Sequence, residues 1–135
     1  MRLNRVTGPF DAVLVALGVN DVTRFVPRPV WLGRQRTLID RLTRDFAARH
    51  VLLTGLPPMD RFPLLPQPLR WTLGRHAARL DEGLRTLAAG HPACEVLSFD
   101  LPDDPALMAE DGFHPSPATY AIWADMAAGR ILARL

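Results

Sequence analysis

The sequence holds one cysteine, two serines, no lysine and no long apolar run. With Cys94 alone, an internal disulfide and any cysteine-built zinc site are excluded. No apolar stretch approaches the ~20 residues that a membrane-spanning helix needs. The opening residues, "MRLNRVTGPF", carry arginines with no apolar stretch behind them, so they do not read as a signal peptide, and the cytoplasm is the default compartment. All 16 basic residues are arginine, which fits codon bias in an Ala/Arg/Leu/Pro-rich proteome better than selection for phosphate contacts. The arginines are dispersed and stand in helical register with acids, as in Asp40/Arg44, Asp45/Arg49 and Asp81/Arg85. The net charge of +2 therefore reads as a solvated, ion-paired face, with no nucleic-acid partner implied.

What is present suits a single globular domain over 1–135. The hydrophobic fraction of 48% with mixed charges separates the chain from disordered sequences. Three short apolar runs predict strands: Ala12–Leu17, His50–Thr54 and Glu95–Phe99. The first lacks period-2 alternation, which predicts a parallel strand buried on both faces. Helical periodicity fills the intervals. Leu38, Ile39, Leu42 and Phe46 make one stripe within 31–49, and Leu73, Ala77, Leu80, Leu84 and Leu87 another within 69–89. A last helix begins with Ser116 as cap and Pro117 at the first helical position, with Ile122, Met126 and Ile131 expected inward. The order β-α-β-α-β-α predicts an α/β domain with a parallel sheet and helices on its faces. Between 57 and 68 lie five prolines, which exclude helix and central strand. This segment follows a strand and is expected at the carboxyl ends of the sheet, where open α/β sheets bind ligands.

Two stretches carry chemistry. Asp111 stands three residues before His114 in "EDGFHPSPATY". A carboxylate folded back onto an imidazole fixes its tautomer and supports the cation that forms when the ring accepts a proton. Taken alone, the same spacing equally suits a capping loop with an incidental histidine. In "LGVND", Asn20 follows a predicted strand, where a side-chain amide can donate to a developing oxyanion, and Gly18 lets backbone approach closely. Taken alone, these residues also suit a simple turn with local side-chain bonds. The four histidines (His50, His76, His91 and His114) show no ligand spacing, so no metal site is expected.

Together, "LGVND" at 17–21 and "DGFHP" at 111–115 resemble the G-x-N-D and D-x-x-H blocks of the SGNH (GDSL-type) hydrolases, a superfamily of esterases and lipases. "LLTGLPP" at 52–58 looks like that family's fourth strand and the loop after it. The resemblance implies a three-layer α/β/α flavodoxin-like fold and hydrolysis of small-molecule or lipid esters without metal or cofactor. It implies that His114 is the general base, that Asp111 orients it, and that Asn20 donates to the oxyanion beside the turn shaped by Gly18. Asp21 is expected to hold the loop. The family's nucleophile block, G-D-S, is not in this sequence, nor is the glycine block supplying a second oxyanion donor. Ser98 falls within a predicted strand and Ser116 is a helix cap, so neither reads as a substitute nucleophile on a strand-to-helix elbow. The chain is therefore expected to be an N-terminally incomplete domain lacking the fold's first two strands, with Ala12–Leu17 as an open edge prone to self-association. A non-catalytic binding or interaction module of the same descent is the alternative.

Overall fold

The apolar run after Asp11 forms β1 (Ala12–Val15), which is shorter than the sequence predicts. Ala16 and Leu17 follow outside the ladder, and Gly18, with a φ of 127°, turns the chain into a short helix, α1 (Val19–Thr23). Asn20 and Asp21 therefore lie in a helical turn rather than in a loop. There follow α2 (Arg28–Arg44), β2 (His50–Thr54), α3 (Leu69–Ala89), β3 (Cys94–Leu97) and α4 (Pro117–Arg134). The computed structural model describes residues 3–57, 59, 65–98 and 116–134.

The three strands form one parallel sheet in the order β1-β2-β3. Parallel neighbours need crossover connections, which the helices supply. Val13 and Val15 of β1, Val51 and Leu53 of β2, and Cys94 and Val96 of β3 face α2 and α3 and join the main core. The expected helix stripes are there. Ile39, Leu42, Phe46, Leu73, Ala77, Leu80 and Leu84 are buried, while Leu38 and Leu87 pack against them half-buried.

Among the described residues the opposite face is covered by α4 alone, which makes the third layer. Leu52 and Leu97 meet Ala127, with Trp123 and Ile131 packed against them. Two expectations are corrected here. Ile122 and Met126 are 41% and 39% exposed, because the inward stripe runs through Thr119, Trp123, Ala127 and Ile131, spaced four apart. Nor is β1 buried on both faces. Across that face the register aligns Leu14, Leu52 and Glu95. The helix reaches Leu52 by packing and Glu95 by ion pairs from Arg130 and Arg134 at 3.2 and 3.0 Å. Leu14 lies beyond it and is 37% exposed. As expected, Ser116 caps α4: its hydroxyl accepts from the Thr119 N–H at 3.4 Å and shares a hydrogen bond with the Thr119 hydroxyl at 3.2 Å. No described helix is long and apolar enough to cross a membrane.

Candidate functional site

The carboxyl ends of β1, β2 and β3 open onto one end of the sheet, and the residues following each strand meet there. Gly18 follows β1 and is buried. A Cβ built on it would lie 2.5 Å from Leu56 Cδ2 and 3.2 Å from Trp31 Cζ2. The glycine is thus required twice, for its positive φ and for the approach of Leu56. Sequence reasoning expected that closeness to serve a substrate. In the structure the close neighbours of Gly18 are side chains of the chain itself.

Asn20 lies two residues further on, in α1, with its side chain exposed at this end of the sheet. Its carbonyl accepts from the Arg24 N–H at 3.1 Å and the Thr23 hydroxyl at 3.0 Å. Among the described residues no hydrogen bond engages its side-chain amide. Asp21 plays the holding role expected of it. Its carboxylate accepts from the Trp31 indole N–H at 3.3 Å and lies 3.8 Å from Arg34, tying α1 to α2. The Asp21 carbonyl accepts from the Val26 N–H at 3.0 Å, and the Val26 carbonyl bonds to His76 Nε2 of α3 at 2.9 Å. The turn presenting Asn20 is therefore anchored on two helices.

The other two candidates, Asp111 and His114, lie outside the described residues. The chain enters their segment from Ser98, just after β3, and leaves it at Ser116. Both serines are engaged in structural bonds: Ser98 accepts from Arg85 Nη2 at 3.1 Å, and Ser116 caps α4.

The proline-rich segment connects β2 to α3 at the same end of the sheet. Met59 within it is fully buried in the main core and Leu65 packs against that core, so these two cover the sheet. Trp71, at the start of α3, is instead 56% exposed and carries the Arg75 guanidinium 5.0 Å above its ring. Phe62 and Leu64, also apolar and in this stretch, lie outside the described residues. Among the described residues no three His, Cys, Asp or Glu side chains come together as a metal site would require.

Sequence reading missed the pair under this end of the sheet. Asp81 and Arg85 of α3, expected as a solvated pair, turn towards the strand ends. Asp81 Oδ1 accepts the Leu56 N–H at 2.9 Å, and Oδ2 accepts Arg85 Nε at 2.9 Å. The one sequence signal was Gly55, whose missing Cβ would have stood 2.9 Å from Asp81 Oδ1.

No curated protein sequence matches the chain. A family model does, over residues 2–122, a span that takes in both motif stretches and the sheet between them. The chain belongs to the GDSL-like lipase/acylhydrolase family.

Proposed function

We propose that this chain carries the base, its orienting carboxylate and one oxyanion donor of an ester hydrolase, with the nucleophilic serine outside its sequence. The observation that carries the reading is Asn20. In a member of this family its amide stands exposed at the carboxyl end of β1, with no described partner for its two N–H donors. The substrate is a small-molecule or lipid ester. His114 takes the proton from a serine hydroxyl as that oxygen attacks the ester carbonyl. Asn20 donates to the oxygen that becomes negative, and His114 then gives the proton to the departing alcohol or thiol. Asp111 holds the imidazole in the tautomer this requires. Water repeats the sequence on the acyl-serine. Neither serine of the chain suits the nucleophile's part, since Ser98 is bound by Arg85 and Ser116 by the first turn of α4.

The chain by itself is accordingly expected to be catalytically silent. Hydrolases stripped of triad members retain ~10³–10⁴-fold catalysis over water from the oxyanion hole and binding, and here most of the hole is absent too. Turnover of a short-chain aryl ester should match that of the His114→Ala variant, and a serine-directed fluorophosphonate should leave the chain unlabelled. Robust turnover lost in His114→Ala, with labelling at Ser98 or Ser116, would replace this reading with a complete enzyme using an unexpected nucleophile.

The edge of β1 that no described strand pairs favours a second reading, an interaction module of the same descent. Leu14 in that strand and Leu17 just beyond it are 37% and 45% exposed. Self-association through this edge belongs to both readings. An inert chain that pairs through β1 and binds no ester would favour the second.

A further inference from the structure

We infer that Asp81 is a positioning residue for the Gly18–Asn20 turn, acting through Leu56. The inference rests on the reading of Asn20 as oxyanion donor for its purpose, though not for its geometry. The Asp81 side chain is 19% exposed, and each carboxylate oxygen is engaged at 2.9 Å, one by the Leu56 N–H and one by Arg85 Nε. A carboxylate accepting from a backbone N–H is shorter and stronger than a neutral pair, so it fixes the place of Leu56 as well as satisfying its donor. Three further observations make Leu56 a relay. Gly55 leaves the space that the carboxylate occupies. The Gly55 N–H bonds to the Leu97 carbonyl at 2.8 Å, so the segment is already tied to β3 on its other side. Leu56, 8% exposed, lies with its side chain against Gly18, and a methyl group added there would have to displace it. Moving Leu56 therefore moves Gly18, whose carbonyl accepts the Val22 N–H at 3.0 Å and so begins the helical turn carrying Asn20.

Arg85 completes the device. Its Nε orients the carboxylate and its Nη2 donates to Ser98 at 3.1 Å, so one ion pair touches the exits of β2 and β3 together. An i,i+4 pair whose arginine is 44% exposed contributes little by charge alone. The consequence of this pair lies in the backbone donor it holds.

Hydrogen exchange read by mass spectrometry on the intact chain tests the inference, with no substrate present. Failure of ester hydrolysis therefore leaves its outcome untouched. Asp81→Asn keeps the shape but sets an amide where two donors, the Leu56 N–H and Arg85 Nε, both need acceptors, so one bond is lost. We expect exchange in a peptide spanning 17–25 to accelerate by about tenfold or more, together with the one spanning 52–57, while 36–45 in α2 stays unchanged. Leu56→Ala, which keeps the backbone bond to Asp81 and removes the contact with Gly18, should accelerate 17–25 by itself. In that background Asp81→Asn should add nothing to 17–25. An unchanged 17–25 in Asp81→Asn, equal acceleration of all three peptides, or a full additional effect in the Leu56→Ala background would each overturn the inference.

Discussion

At the scale of single residues, Gly18 carries the largest consequence. Its φ of 127° is unfavourable for any side-chain-bearing residue, at ~1–3 kcal/mol, and overpacking against Leu56 adds a similar amount. Gly18→Ala should therefore lower stability by about 2–5 kcal/mol, read from the denaturant midpoint. Leu56→Ala in the same chain should return the packing share and leave the backbone share, a coupling that a double-mutant cycle measures. Cys94 sets a pH dependence of its own. Burial pushes its thiol above the ordinary value of 9.0, while the nearby Arg134 guanidinium pulls the other way more weakly. A folded value above the unfolded one means that the native state holds the proton longer. The contribution is fully present below pH 9.0 and is lost as pH rises through the folded value. Unfolding profiles at pH 8 and pH 10 should show a fall on the alkaline side that Cys94→Ala makes smaller. An equal fall in both chains would put the alkaline loss elsewhere.

Among the elements, the seam between α4 and the sheet raises the question of what holds it. Arg130 and Arg134 reach Glu95 at 3.2 and 3.0 Å, but their side chains are 64% and 34% exposed, and exposed pairs contribute only ~0–1 kcal/mol. Ala127, 3% exposed between Leu52 and Leu97, is where the helix comes close to the strands. Packing therefore outweighs charge at this seam. Glu95→Gln should change stability by less than about 1 kcal/mol, whereas Ala127→Leu should cost ~1–3 kcal/mol by forcing the helix off the sheet. The two variants compared by thermal unfolding decide the matter, and a larger loss in Glu95→Gln would reverse the ranking.

For the whole molecule, the governing feature is that the sheet is covered unevenly. Its α2/α3 face carries the main core, while α4 shields β2 and β3 and leaves Leu14 of β1 outside. The Asp11 carbonyl accepts the His50 N–H at 3.1 Å, so odd-numbered residues of this strand face β2. Alternation then directs the backbone groups of Ala12 and Leu14 to the open edge, where no described strand pairs with them. An apolar edge without a charged gatekeeper templates pairing with another strand. Leu14→Lys should convert self-associated chain into monomer at little cost in stability, because a side chain already 37% exposed loses only part of the ~1.5–3 kcal/mol that full burial supplies. Size-exclusion chromatography with light scattering checks this. An unaltered chain that already runs as a clean monomer would show that the edge is closed without a partner.

The sequence alone determined whatever depends on near neighbours in the chain. The stripe Leu73, Ala77, Leu80, Leu84 marked α3, and Ser116-Pro117 marked the start of α4, because helix periodicity and capping are local properties. The two motif stretches, read with the spacing between them, were enough to indicate the family. Tertiary structure decided which apolar residues of α4 face the sheet. Ile122 is as hydrophobic as Ile131 and Met126 is also apolar, and only the placement of the helix over Leu52 and Leu97 chose Trp123 and Ala127 over them. It decided that β1 is covered on one face, because burial depends on what other elements bring. It also gave Asp81 its partner 25 positions away, the Leu56 N–H, where spacing along one helix pointed only to Arg85. A side chain four residues from a cation advertises that pairing, but nothing local reveals which backbone donor folding will bring to it.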